Sequence, residues 1–424
     1  MRRRRSWTAL EGRGSEFSGG LRARIRTTTL IRVPAYPLTA ERLETICAAL
    51  SRIAGDRVAV LSSQHVGHEW APVTRLELDR AVPGIGSTVL VKTRRVDGAG
   101  HGGPAYLRRE AAALRTTARS GVTARAILMD DAAGVLVQSD LGAWPTLQER
   151  LLGRDLAAAA RAMTGMATAV GRLHAATLGR DAEHAQHLAA FAADVATGQS
   201  YAFGREAWDE IEQACADTGL PSGSRARHEF GRLLRRAAAP GCGRVLTHLD
   251  LNPTNVLLTP DGARLVDFES SGFRHPGIDA CFLHYPFPHH SAPWAVLPEA
   301  VVASADAAYR AALSAGGAAR ILENYDQMLA DGAAIVLIGR LRRLRLIAEA
   351  DQTPADGRRR RGQIVQQIRT FLRIAEPTHD LSAVQDWLRA LVETMVSRWP
   401  ESEDPPAPLF PAFAADPHVT GDAS

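Results

Sequence analysis

Residues 247–269 of the 424-residue chain read THLDLNPTNVLLTPDGARLVDFE, and this stretch decides the fold. Asp250 and Asn255 stand five apart in an H-x-D-x-x-x-x-N frame, and Asp267 follows Asn255 by twelve residues. Between them Thr259-Pro260-Asp261-Gly262 is strong turn chemistry. Pro presets φ, Asp bonds to nearby backbone, and Gly supplies positive φ. The flanks, 256–258 and 264–266, read as the two arms of a hairpin. If Leu258 pairs with Ala263, Asn255 lies opposite Val266, so Asn255 and Asp267 meet at the open end. Asp250 sits on the loop feeding that end. Three oxygen-bearing side chains on one spot suit a magnesium–phosphate centre better than a core; the bland alternative is a hairpin carrying accidental acids.

Magnesium takes oxygen ligands, usually one or two from protein, and leaves the rest to water and phosphate. Asn255 and Asp267 meet that need, and Asp250 can accept the proton of an attacking hydroxyl. These are the catalytic-loop and metal parts of a kinase site. HLDLNPTNVLL followed by LVDFE resembles the aminoglycoside phosphotransferase and choline kinase group of small-molecule kinases. Two departures stand out: Leu249 where that family usually has Gly, and Asn252 where it usually has His. The resemblance implies a bilobal, protein-kinase-like α+β fold, with an N-terminal antiparallel-sheet lobe and a mainly helical C-terminal lobe. It also implies ATP and Mg2+ as cofactors and a small-molecule hydroxyl as acceptor.

Of the 50 Lys plus Arg residues, one alone is lysine, Lys92. It ends the β-branched run 88–92, after the turn 83–86. A kinase of this kind needs a strand lysine on the nucleotide phosphates, held by a glutamate on the next helix. A planar guanidinium does not replace a compact ammonium there without cost. The alternative is chance survival in an arginine-rich composition. After the glycine-rich loop 98–103, residues 105–119 read as a helix, and Glu110 is the single acid between Asp97 and Asp130. Glu110 is therefore the expected Lys92 partner, with a solvated helix-face glutamate as the alternative.

Composition sets outer limits. At 46% hydrophobic and 23% charged, the chain is long enough for two lobes sharing a cleft. Its net charge of +4 is a small excess of 50 basic over 46 acidic residues, partly concentrated in Arg2–Arg5, Arg22, Arg24 and Arg26. No apolar signal core follows these arginines, so a disordered leader (1–33) is expected rather than an export signal or nucleic-acid arm. No run approaches membrane-spanning length. Cys47, Cys215, Cys242 and Cys281 share no metal or disulfide spacing, which suits a reducing cytoplasm. Oligomeric state is not readable.

Along the chain, residues 34–142 are expected as the nucleotide-binding lobe, 143–403 as the helical catalytic and acceptor-binding lobe, and 404–424 as a Pro/Asp-rich tail in which 409–413 could dock. The first lobe reads as a helix at 39–54 and strands at 57–61, 73–78, 88–93, 124–129 and 135–138. The loop 62–70 would cover the phosphates, although it lacks a G-x-G-x-x-G pattern. Residues 138–142, QSDLG, resemble the family's hinge, where backbone groups of Ser139 and Leu141 would hold adenine; a turn that only joins lobes is the other reading. A long helix at 155–178 carries His174 in an LHA signature, read as a packed core histidine. Two further helices should precede the hairpin, and helices at 297–314, 318–351, 359–374 and 381–399 follow it.

His248 reads as architectural, and Asp279 matches the family's downstream Asp, bracing the catalytic loop. His284, His289 and His290 read as an acceptor-side loop rather than a metal site. Eleven residues separate Asp267 from Asp279 and no A-P-E follows, so a protein-kinase activation segment has no room. Residues 301–400 hold 14 Arg against 11 Asp plus Glu, which disfavours a polycationic acceptor. The reading is an ATP- and Mg-dependent phosphotransferase acting on a small-molecule hydroxyl. Its competitors are a kinase-like ATP-binding protein without catalysis, and a kinase acting on a natural-product precursor peptide.

Overall fold

Thr39 accepts the Arg42 N–H on its side chain, which caps α1 (Ala40–Ala54). Gly55, at φ +72, closes the helix. The computed structural model describes residues 38–66, 73–93, 104–191, 202–239, 243–284, 295–349, 357–378, 380–403 and 408–414; 38–424 form one compact unit.

Five strands follow in sequence: β1 (Val60–His65), β2 (Val73–Val82), β3 (Gly86–Thr93), then, beyond α2 (Pro104–Thr116), β4 (Ala126–Asp130) and β5 (Val135–Ser139). They make one antiparallel sheet in the order β1-β2-β3-β5-β4. Period-two alternation sorts its faces. Val89 and Val91 join Ile46 and Leu50 of α1 in one core, while Leu136 packs with Leu107, Ala111 and Leu114 of α2 in another. Lys92 is opposite Leu136 in the ladder, so it stands on the face that carries α2.

The expected first strand, 57–61, and the loop at 62–70 need correcting. β1 runs on to His65, which pairs with Thr74, and its polar residues lie exposed. Backbone pairing with β2 recruits Ser62 to His65 despite their polarity, because an edge strand needs only one ladder. The turn itself, 67–72, and the glycine-rich loop 98–103 lie outside the described residues.

The helical part starts with α3 (Leu147–Leu152), whose capping box joins Thr146 and Glu149. α4 (Leu156–Thr177) is a central core helix. Among the described residues three helices, not two, lie between α4 and the hairpin: α5 (Asp181–Ala189), α6 (Ala202–Thr218) and α7 (Ser224–Ala238). Gly179 and Gly219, at φ +75 and +68, lie between α4 and α5 and between α6 and α7. Then come β6 (Val245–Thr247), β7 (Val256–Thr259), β8 (Gly262–Leu265), β9 (Gly272–Arg274) and α8 (Gly277–Ala280). The C-terminal helices are α9 (Glu299–Ala315), α10 (Tyr325–Leu341), α11 (Leu344–Glu349), α12 (Gly357–Ala375) and α13 (Ser382–Arg398).

The helix expected at 318–351 is thus broken. A 3-10 turn covers Ala319–Leu322, and the chain turns again between α10 and α11, where Arg342 forms a two-pronged ion pair with Glu210 of α6. A tertiary contact has overridden local periodicity. Near the end, Phe410 is 1% exposed and its N–H donates to Val296 O, so this segment does dock.

His184 of α5 is 3% exposed and shares Thr116 Oγ1 with His187. Burial, then the neighbouring His187, lower its pKa to about 4. A histidine held neutral in the fold is protonated first in the unfolded chain, so stability is lost as pH falls from its ordinary value near 6.5 toward 4. The effect should reach about 3 kcal/mol at the low end of that window. Thermal melts should show a shallower acid slope for His184→Gln than for the parent, and parallel slopes would remove His184 from this role.

Candidate active site

The hairpin register is the one the turn chemistry predicts. Leu258 pairs with Ala263 and Thr259 with Gly262, and Val266 N–H donates to Asn255 O at 3.0 Å. Asn255 therefore lies opposite Val266, one residue from Asp267. Asp267 adopts φ +71, and Leu249 in the preceding loop adopts φ +68; no other non-glycine residue among those described has positive φ. For an L side chain that geometry costs about 1–2 kcal/mol and persists where surrounding contacts over-determine it.

At Leu249 the over-determining contact is Asp279. Its carboxylate, fully buried, accepts the N–H of His248 at 2.6 Å and of Leu249 at 2.9 Å. His174 Nε2 donates to the same carboxylate at 3.2 Å, and Tyr309 OH meets His174 Nδ1 at 2.8 Å. Burial pushes the Asp279 carboxyl up, but the hydrogen bond from His174 and the histidine and N–H contacts around it hold it below the usual carboxylate range. His248 in turn bridges the loop to the hairpin, with Nε2 on Val266 O at 2.8 Å and Nδ1 taking Asp250 N–H at 3.3 Å. His174, His248 and Asp279 thus form a scaffold beneath Asp250, which His248 meets at the Asp250 backbone N–H.

Asp250 receives its own hydrogen bonds from two amides. Asn252 Nδ2 donates to Oδ1, and Asn255 Nδ2 lies 3.3 Å from Oδ2 and 3.0 Å from Asp250 O. Turning its amide nitrogen toward Asp250 leaves Asn255 Oδ1 on the other side, where Thr254 Oγ1 approaches at 3.5 Å. Asn252, noted in the sequence only as a departure from the family pattern, is therefore a direct partner of Asp250. A short polar side chain two residues after the Asp was the available signal.

Across the cleft Lys92 Nζ reaches Glu110 Oε1 and Oε2 at 2.8 and 2.7 Å, and also Asp267 Oδ1 at 2.7 Å. The sequence placed Glu110 here and missed Asp267, whose distance along the chain gives no local cue. Burial pulls the Lys92 ammonium pKa down, but Asp267 and Glu110 together outweigh it and hold it above the ordinary lysine value. Burial pushes the Glu110 carboxyl up against the pull of Lys92. One ammonium between two carboxylates makes a chain linking sheet, helix α2 and hairpin. Asp267 remains about a third exposed (35%), Glu110 hardly at all (1%).

At the joint between the lobes, Ser139 N–H donates to Arg125 O at 2.9 Å and Ser139 Oγ accepts Arg125 N–H at 2.9 Å. Its donor is spent, so its carbonyl is the one backbone group Ser139 could present. Leu141 O accepts the Trp144 indole at 2.7 Å, whereas Leu141 N–H meets no acceptor among the described residues. Arg75 of β2 clamps Asp140 between them at 2.6 and 3.1 Å, fixing the turn. His284 pairs with Asp306 at 3.1 Å; His289 and His290 lie outside the described residues.

The oxygen donors at the hairpin mouth suit a hard divalent cation. Among the described residues no cluster of three His, Cys, Asp or Glu could cage a metal, but an Asn–Asp pair that shares the cation with phosphate needs no such cage.

Among curated proteins none matches this chain. Solved structures do. The choline kinase of Streptococcus pneumoniae is 14% identical over 80% of this chain and 98% of its own, with a TM-score of 0.39. The macrolide 2′-phosphotransferase of Brachybacterium faecium is 18% identical over 77% and 98%, with a TM-score of 0.38. A choline/ethanolamine kinase family protein of Mesorhizobium loti is 16% identical over 82% and 99%, with a TM-score of 0.40. A family model described as the phosphotransferase enzyme family matches residues 88–329, more than half of the 424. From the strand of Lys92 through the hairpin to α10, this chain belongs to the phosphotransferase enzyme family.

Proposed function

We propose that the protein moves the γ-phosphoryl group of ATP to a hydroxyl of a small molecule, with magnesium as the required cation. The observation that carries this reading is the Lys92–Glu110–Asp267 chain closing on the hairpin that also presents Asp250 and Asn255. Glu110 orients the Lys92 ammonium toward the nucleotide phosphates. Ser139 O and Leu141 N–H flank the adenine. Asn255 Oδ1 and Asp267 would hold the cation, which when bound would neutralise charge on the phosphates. Asp250 takes the hydroxyl proton as the acceptor oxygen bonds to phosphorus and the bond to the ADP oxygen breaks.

Strong local constraint favours catalysis over passive nucleotide binding. The loop under Asp250 spends positive φ at Leu249 and a buried carboxylate at Asp279 to hold one geometry, an arrangement of the kind that clusters at active sites. Among the described residues no helix is long and apolar enough to cross a membrane. A cytoplasmic setting is part of the proposal and rests on the unpaired cysteine pattern; Cys47, Cys215 and Cys281 are free thiols.

The test is ADP formation against magnesium concentration at saturating ATP. Asp267→Asn should move the half-saturating magnesium concentration up about tenfold or more, because a charged oxygen ligand becomes neutral. An unchanged magnesium curve in an active variant would contradict the metal assignment, and no magnesium dependence in the parent would contradict the function.

A further inference from the structure

Beside Asp250 a half-open cavity of about 260 Å³, just below the usual size of ligand sites, lies between the catalytic loop, α8 and α10. Its walls are largely apolar: Leu249 from the strained loop, Ile278 of α8, Phe282, and Ile335 of α10. Among the described residues three charged side chains line it, and Asp250 is the sole carboxylate of the three; the others are Arg274 and Arg340. Neither guanidinium is loosely placed. Arg274 Nη1 donates to Ser270 O at 3.3 Å and Thr247 Oγ1 at 3.4 Å, and Arg340 lies 5.5 Å from the centre of the Phe282 ring. The acids of α10 and of the turn before it are directed elsewhere. Glu323 and Asp331 line a second cavity and Asp326 a third, and Asp331 is already clamped by Arg236 at 2.6 Å.

The geometry points to an acceptor that is a compact alcohol with an apolar body and one anionic group, a carboxylate or phosphate, seated on Arg274 and Arg340 with its hydroxyl at Asp250. This rests on the phosphotransfer reading above and names its substrate class. Planar guanidinium forks match such anions, and because the protein holds them in place little ordering is lost on binding. An ammonium in the same cavity would face two like charges. The residue at the family's glycine position has a use here as well: Leu249 tolerates positive φ and turns its side chain into the cavity wall.

The test uses three probes of one shape: 4-(hydroxymethyl)benzoate, its carboxamide and the corresponding benzylamine. Binding to the Mg-ADP complex is measured by calorimetry, and turnover by ADP release with Mg-ATP. The carboxylate should bind at least about tenfold more tightly than the amide, with the amine weakest. Arg340→Met and, separately, Arg274→Met should each bring the carboxylate-to-amide ratio toward one, whatever they do to turnover. A preference for the amine, a ratio near one in the parent, or no carboxylate binding at millimolar concentration would each overturn the inference. Selective carboxylate binding, with no ADP release from this probe or from any alcohol in a wider panel, would leave the anion site standing and remove the phosphotransfer reading, so the two failures are distinguishable.

Discussion

Asp250→Asn is expected to cut phosphoryl transfer by about 10²- to 10⁴-fold, the usual worth of a positioned general base, while Mg-ATP still binds. The substitution keeps shape and removes the proton acceptor. One amide oxygen can still accept from either Asn252 or Asn255, which hold the carboxylate from two sides, so the loop should survive. The scaffold below is untouched, because Asp279 meets this loop at the His248 and Leu249 N–H groups, His248 meets Asp250 at its backbone N–H, and His174 bears on Asp279. Nucleotide affinity by calorimetry should therefore stay within a few-fold of the parent while ADP formation collapses. Turnover close to the parent's would take Asp250 out of the mechanism.

Gly332→Ala should be the most damaging methyl addition among the described glycines. Gly332 of α10 and Gly277 of α8 cross backbone to backbone. A Cβ on Gly332 would fall inside the van der Waals envelope of the Gly277 C, O and Cα atoms, and one on Gly277 would strike Met328 O. Backbone cannot swing aside as a side chain can, so the overpacking cost should sit at the upper end of its range, about 3 kcal/mol or more. α8 carries Asp279 and α10 lines the cavity beside Asp250, so activity should fall with stability. Gly165 supplies the contrast: its added Cβ meets only Ala263 Cβ, at an ordinary 3.7 Å, and Gly165→Ala should be neutral or stabilise α4 by about 0.5–1 kcal/mol. Urea unfolding of both variants checks this. A Gly332→Ala midpoint within error of the parent would mean the two helices can part without cost.

What was legible in the sequence was local. The hairpin turn, its register and the position of Asn255 opposite Val266 follow from four turn residues and strand alternation. Lys92 and Glu110 could be paired because the chain has one lysine and that helix one acid. The unread features depend on partners far along the chain. Asp267 meets Lys92 across 175 residues, and Arg125 consumes the Ser139 N–H, a backbone donor the hinge reading had left open. β1 extends because β2 offers a ladder, and α10 stops where Arg342 turns to Glu210. The Leu249 departure was visible, but its meaning needed two facts no sequence carries: the positive φ and the Asp279 clamp. Arg274 was not singled out at all, because an arginine in an arginine-rich chain has no distinguishing signal until the fold sets it beside Asp250.

Phosphorus NMR of the purified protein with Mg-ATP and a panel of alcohol-bearing metabolites and antibiotics tests the central claim most directly. The account predicts that at least one acceptor gives a new phosphomonoester resonance, growing in step with ADP and suppressed in Asp250→Asn. Tight Mg-ATP binding with no ester from any acceptor, and ADP release no faster than in Asp250→Asn, would contradict it.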